Sequence, residues 1–295
     1  MEERDWLANQ FEENRGHLRA VAYRMLGSAS EADDAVQEAW LRLNRSNANT
    51  IENLGGWLTT VVSRVCLDML RSRIAKREEA LDTSPTEAVA AIKKQNDPER
   101  EAILADSVGF ALLIVLDRLD PAERLAFVLH DMFAVPFEEI AAILDRSPVA
   151  ARQLASRARR RIQGAPAVST TSLTEQRRVA DAFLAAIRAG DMEGLVAVLD
   201  PDVVVHIDGA AARPGASKEI HGARNWAKGA IAFSQQLAGD IQPMLVNGEV
   251  GLVWAPGGHL RRVLRFSIAD SKIASVDVIA EPTRLNELEV AVLGE

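Results

Sequence analysis

PFEEIAAILDRSPVAARQLASRARRRI, residues 136–162, is the stretch that decides how the chain is read. Phe137, Ile140, Ala141 and Leu144 recur at i, i+3, i+4 and i+7, one apolar stripe of a short helix. Asp145-Arg146 makes the turn. Ser147 is then placed as the cap of a second helix, with Pro148 at its first position, where a missing N–H costs nothing. That helix carries Arg152, Gln153, Ser156, Arg157, Arg159, Arg160 and Arg161, and no acidic residue stands between Ser147 and Ile162. A short helix, a tight turn and a basic second helix suit insertion of that second helix into the DNA major groove. Its arginines attract phosphate and, aimed at base edges, read guanine. The same residues also suit a solvated basic helix at the end of a domain.

Working outward, 295 residues leave room for two or three domains with their own cores. The net charge of −8 speaks against DNA binding in bulk, but distribution matters more than the total. From Thr170 onward there are 12 Lys and Arg against 16 Asp and Glu, and before it 22 against 26. Within the first part the charges segregate: Asp33, Asp34 and Glu38 in one helical pattern, Arg64, Arg71, Arg73, Lys76 and Arg77 in another. Cys66 is the only cysteine, so no intramolecular disulfide can form, which fits a reducing cytosol. No apolar run reaches the ~20 residues of a membrane span, and no signal peptide is expected.

In residues 1–80 an amphipathic first helix stops at Gly27. Ser30 is expected to cap the second, SEADDAVQEAWLRLNR, with Asp33 in its first turn. Ala35, Val36, Ala39, Trp40 and Leu43 share one side, while Asp33, Asp34, Gln37, Glu38, Leu41 and Arg42 fall on others. That acidic and apolar exterior suits docking on a basic partner helix, or is an ordinary solvated face. Polar 44–56 reads as a loop, and Trp57 to about Arg73 as a third helix with a basic end. Such a basic helix beside a polar loop suits a strand of opened DNA. Trp57 reads as core.

At this point the chain resembles a known family. DDAVQEAWLRL at 33–43 resembles region 2.2 of bacterial sigma factors, the surface that docks on RNA polymerase. GWLTTVVSRVCLDMLRSR at 56–73 resembles regions 2.3–2.4, and the segment 116–162 resembles region 4. Two such blocks in order, with no region 3 domain between them, resemble the small extracytoplasmic-function type. FVLHDMFAVPFEEIA points to the subgroup with a SnoaL-like tail, the SigI and SigJ kind, with the SigI type the nearer. The tail stretch 191–209, DMEGLVAVLDPDVVVHIDG, carries the match to a SnoaL-like, NTF2-type cone. Three motifs depart from the subgroup's pattern. LDTSPTEAV at 81–89 stands near the place of WLPEP, Asp208-Gly209-Ala210-Ala211-Ala212 in that of DGGGK, and Glu281-Pro282-Thr283-Arg284-Leu285 in that of NPDKL.

Between the blocks, 74–100 is a polar connector; 101–119 is strongly apolar and helical, and Asp120-Pro121 opens the next helix. His130 and Asp131 have no third partner and suit a helix end. GAPAVSTTSLT at 164–174 is a flexible linker. Beyond it come helix, helix, strand, helix and a run of strands, an α+β pattern. His206, Asp208, Trp226, His259 and Asp277 are candidates to line a pocket there. Leu285, Leu288 and Val290 are candidates for an exposed apolar contact surface.

The expected architecture is therefore two all-α sigma domains, a region 2 bundle (1–80) and a region 4 helix-turn-helix (101–163). Linkers at 81–100 and 164–174 follow each, and an α+β SnoaL-like, NTF2-like cone (175–295) ends the chain. The resemblance implies binding of core RNA polymerase, at the β′ clamp helices and β flap, through Asp33, Asp34, Gln37, Glu38, Trp40 and Leu41. It implies −10 DNA contacts by Asn47, Asn49, Arg64, Asp68, Arg71 and Arg73, and −35 contacts by Arg146, Ser147, Arg152, Gln153, Ser156, Arg157 and Arg159. The tail would act in cis on promoter or polymerase engagement. No cofactor, metal, membrane partner or catalytic residue is expected. The alternative is a helix-turn-helix regulator whose tail senses a ligand or acts as an enzyme.

Overall fold

A computed structural model describes residues 2–46, 51, 53–79, 107–164, 171–211, 219–234 and 241–294. These residues fall into two compact units. One takes those before 107 together with Leu116–Arg160, the other Ser107–Val115 together with those from Arg161 on.

The first unit is helical. Helices α1 (Glu2–Leu26), α2 (Ala29–Arg45) and α3 (Leu54–Glu79) pack pairwise on one another. Leu18, Val21, Met25, Val36, Leu58, Val62 and Cys66 form a core that is almost fully buried. Burial pushes the Cys66 thiol up to about 12, so it stays a protonated apolar filler. Gly27, at φ 72°, ends α1, a left-handed conformation that glycine adopts without strain. Ser28, not Ser30, caps α2: its extended backbone turns the side chain toward the Glu31 N–H, 3.5 Å away. Helix α3 begins before Trp57, inside the stretch expected to be loop. The Asn53 carboxamide accepts the Gly56 N–H at 3.0 Å and so satisfies one of the helix's first donors.

A second group of helices follows in the same unit: the end of α4 (Ser107–Asp117), α5 (Pro121–Phe127), a π-helical turn (Val128–Met132), α6 (Phe137–Leu144) and α7 (Pro148–Gln163). Asp120 caps α5 through the Ala122 N–H at 3.0 Å, and Pro121 sits at N1. Asp145, left-handed at φ 54°, turns α6 into α7, and the Ser147 hydroxyl accepts the Ala150 N–H at 3.2 Å. His130 fastens the π-helical turn: its Nδ1 lies 3.1 Å from the Val135 carbonyl and its ring stacks on Phe137 at 3.8 Å.

Helices α5 and α6 rest on α3, and the π-helical turn rests on α1. The deepest tie is Arg124 of α5. Its guanidinium is 2% exposed and donates Nε and Nη2 to the Arg24 carbonyl at 3.3 and 3.2 Å. Arg73 of α3 donates to the Leu26 carbonyl at 3.1 Å. Two arginines thus satisfy carbonyls that the end of α1 leaves without helical partners, at the end where the helix dipole favours cations. Burial draws the Arg124 guanidinium down to about 10, a value at which it remains charged near neutrality.

The second unit is α+β. Helices α8 (Leu173–Ala189) and α9 (Met192–Val198) are capped by Ser172 and Asp191, with Gly190 left-handed between them. They lead to β1 (Leu199–Ile207), β2 (Glu219–His221) and α10 (Ala223–Ser234). Then come β3 (Ile241–Val246), β4 (Glu249–Trp254), β5 (Arg262–Ala269) and β6 (Lys272–Ile279). Helix α11 (Pro282–Glu287) and β7 (Val290–Ala291) close the chain. The sheet order is β2-β1-β6-β5-β4-β3-β7, with β1 parallel to β6 and the other neighbours antiparallel. Phe183 of α8 stacks on Trp226 of α10 and meets Phe266 of β5, at 5.4 and 5.2 Å.

The chain end departs from its expected role as an exposed contact surface. Leu285, Leu288 and Val290 are 6%, 9% and 5% exposed. Strand β7 folds back to pair with β3, and the Asn247 side chain accepts the Glu289 N–H at 2.8 Å, drawing these apolar residues into the fold. None of the described helices is long and apolar enough to cross a membrane.

Candidate polymerase and promoter interfaces

Helix α2 buries Ala32, Ala35, Val36, Ala39 and Leu43, a 3.6-residue rhythm that turns the remaining positions outward. Asp33, Asp34, Gln37 and Leu41 are exposed, Leu41 to 41%. Asp33 accepts the Arg19 Nε at 2.8 Å, and Glu38 accepts the Arg42 Nε one turn on at 2.9 Å. Trp40 is half-buried against Phe11, with ring centres 4.9 Å apart. Phe11, Arg15, Asp33, Gln37 and Trp40 border a groove of about 250 Å³ between α1 and α2. The helix thus offers partly neutralised acids beside one exposed leucine and one aromatic edge.

On α3, Arg64, Asp68 and Arg71 stand at i, i+4 and i+7 on an exposed stripe, and Ile74, 45% exposed, extends it. Arg64 is not idle: its Nη2 donates to the Ala142 carbonyl of α6 at 3.1 Å. Arg73 lies off the stripe, bound to both carboxylate oxygens of Glu31 as well as to the end of α1. Asn47 and Asn49 lie outside the described residues.

Helix α7 buries Ala151, Leu154, Ala155 and Ala158. Opposite them Val149, Arg152, Gln153, Ser156 and Arg160 form one exposed stripe. Val149, 59% exposed, was not singled out from sequence, because an apolar residue beside a helix cap reads as core. Arg152 lies over the Phe137 ring at 5.2 Å, which steadies its direction. Arg146 and Ser147 are exposed at the turn. Arg157 and Arg159 are engaged from the side: Arg157 Nε donates to the buried Glu123 at 2.8 Å, and Arg159 Nε and Nη2 to Asp131 at 2.5 and 3.2 Å. These acids belong to α5 and the π-helical turn, so two of the named arginines hold α7 in place.

In the second unit, α8, α10 and the sheet border a cavity of about 340 Å³. Strand register decides what faces it. Ile207, Val278, Leu264 and Leu252 stand side by side across β1, β6, β5 and β4, and all four line it. One residue earlier on β1, His206, Asp277 and Arg265 form the neighbouring row, which the pleat turns to the other face. His206 is exposed there, 3.7 Å from Glu219. Trp226 lines the cavity, and His259 is not among its walls. Asp208 is buried, but its carboxylate accepts backbone N–H groups of Ala280, Glu281 and Ala211 at 2.7 to 2.8 Å, with Arg284 3.9 Å away. Burial alone would raise its pKa; those N–H groups outweigh it and hold the carboxyl below its usual range. Two of the three departed motifs, at 208 and 281–285, therefore dock on each other, and the third, 81–89, lies outside the described residues. Among the described residues no cluster of three metal-ligating side chains occurs.

The sigma-70 region 2 model matches residues 10–75, and the sigma-70 region 4 model matches residues 110–162. The chain is 39% identical over 288 residues to the ECF RNA polymerase sigma factor SigJ of Mycobacterium tuberculosis, covering 94% of this chain and 92% of that protein. It is 34% identical over 294 residues to the probable ECF RNA polymerase sigma factor SigI of the same species, end to end on both. On identity SigJ therefore exceeds SigI, the reverse of the order expected from the motifs. Among solved structures, that of M. tuberculosis SigJ is similar with a TM-score of 0.46 at 35% identity, covering 94% of this chain and 98% of the other.

Proposed function

Since the chain belongs to the extracytoplasmic-function (ECF) RNA polymerase sigma factors, we propose specific roles for its two helical faces and for its tail. As a sigma factor it binds RNA polymerase and directs initiation at promoters. In our reading α2 docks on the β′ clamp helices through Asp34, Gln37 and Leu41, with Asp33, Glu38 and Trp40 shaping the rim. The exposed stripe on α3, Arg64, Asp68 and Arg71, takes −10 DNA. Helix α7 reads the −35 element through Arg152, Gln153 and Ser156, with Arg146 and Ser147 at its contact end. Val149 is placed to meet a thymine methyl.

The observation that carries this reading is the α7 stripe: five neighbouring exposed positions with two arginines, on a helix without an acid. Arg157 and Arg159 belong to a different group. Their present partners are carboxylates, which take the Nε of Arg157 and the Nε and Nη2 of Arg159, so in our reading phosphate is met by their remaining N–H groups. Arg152→Ala should weaken promoter binding by the holoenzyme by about 1–3 kcal/mol and relax preference at one base position. Arg157→Ala should weaken binding uniformly across sequences, because it lacks a base to read. Gel-shift titration against a set of single-base promoter variants separates the two. An unchanged preference in Arg152→Ala would remove α7 from the reading face.

We further infer that the tail acts in cis on transcription. Its presence in two relatives aligned over nearly their whole lengths supports a role tied to the sigma function. Removing residues after Ala165 should change transcript yield from purified holoenzyme while the helical unit still folds. An identical yield from both forms would end this reading.

A further inference from the structure

The cavity of the second unit has one charged residue among its described walls. Phe183, Trp226, Phe233, Ile207 and Leu264 are representative of the rest, and Arg262 alone is ionisable. The Arg262 side chain lies over the Phe233 ring at 4.1 Å. Its Nε is buried and has no hydrogen-bond partner among the described residues, and the same holds for the indole Nε1 of Trp254. The two residues are direct cross-strand partners on β4 and β5, in register with the rows that line the cavity. Two buried donors therefore stand side by side at the wall of a cavity whose other polar side chain, Ser234, already donates to the Ile231 carbonyl at 2.8 Å.

Buried donors without acceptors are uncommon, and each such group costs about 1–3 kcal/mol, more when it carries charge. Asp208 does not serve as that acceptor: its carboxylate accepts three backbone N–H groups, and the Arg262 Nε is left without a partner among the described residues. Burial lowers the pKa of the Arg262 guanidinium, but an arginine stays protonated in proteins, so the positive charge persists. What complements a guanidinium and an adjacent N–H is an acceptor with two oxygens and one negative charge. What complements the remaining walls is a compact apolar or aromatic body, and 340 Å³ is near the lower end of small-molecule sites.

We propose that this cavity is a binding site for a compact apolar carboxylate, its two oxygens received by Arg262 and Trp254 and its hydrocarbon body seated against Phe183, Trp226 and Phe233. Charge-assisted bonds to arginine are about twice as strong as neutral ones, so the carboxylate is discriminated from a neutral molecule of the same shape. This goes beyond the sigma function and does not rest on it.

Isothermal titration of the full chain with 4-tert-butylbenzoate and with 4-tert-butylbenzamide tests the proposal. The acid should bind more tightly than the amide by on the order of tenfold or more. Arg262→Met should abolish that preference while the amide binds as before, and Trp254→Phe should weaken the acid by roughly threefold to tenfold. Equal affinity of acid and amide for the unaltered chain, or no binding of either, overturns the proposal without reference to any variant. Retention of the acid's advantage in Arg262→Met overturns the assignment to Arg262, and an unchanged acid affinity in Trp254→Phe overturns the second donor.

Discussion

Three backbone N–H groups converge on the Asp208 carboxylate and join the end of β1 to the start of α11. Asp208→Ala leaves those donors buried without an acceptor and should lower the stability of the second unit by about 1–3 kcal/mol in urea unfolding. The sign with pH follows from the depressed carboxyl. Its stabilisation is complete above the unfolded value of about 3.9 and disappears as pH falls through the lower folded value. Melting followed from about pH 6 to about pH 3 should show the unaltered chain losing stability more steeply than Asp208→Ala. Equal slopes would show that this carboxylate contributes nothing to the pH dependence. Residue type alone picked out Asp208, but its partners 280 and 281 are remote in sequence, and only the folded sheet brings them to it.

Among elements, boundaries set by local chemistry were readable and those set by pairing were not. Gly27, the Asp120-Pro121 start of α5, and Ser147 before α7 each act where their chemistry requires. Ser28 and Ser30 were less separable, since both precede acids; only the backbone at 28 is extended and free to cap. Ser28→Ala should therefore destabilise the helical unit by about 1 kcal/mol and Ser30→Ala by much less, measured by chemical denaturation. A larger loss in Ser30→Ala would reassign the cap. Strands β2 and β7 are three and two residues long and carry no periodicity of their own; they exist because β1 and β3 offer unpaired edges. The tail's candidate residues illustrate the same limit. His206 and Asp277 have suitable chemistry, but a period of two puts them on the face away from the cavity, while Ile207 and Val278 line it. Register was not legible from composition, and neither were Arg262 and Trp254, which look like ordinary strand residues until their pairing is known.

For the molecule as a whole, the two sigma regions are matched by separate models, yet helices of both lie in one compact unit. Arg124 of the second caps α1 of the first, and Arg64 of the first bonds to α6 of the second. Both are long-range pairings that helical periodicity does not reveal, whereas the helices themselves and the basic α7 were legible. Arg124→Met should leave the Arg24 carbonyl without its donors and loosen the unit by about 1–3 kcal/mol. Amide exchange at the end of α1 should rise with it, and unchanged protection there would show that the contact contributes nothing. The central claim, that this chain brings RNA polymerase to promoters through the outward faces of α2 and α7, is tested most directly by transcription with purified core enzyme. Adding the chain to core should yield transcripts starting at a defined position on promoter templates, and the Leu41→Glu form should not. Transcripts that are absent, or equally abundant without the chain, would contradict it.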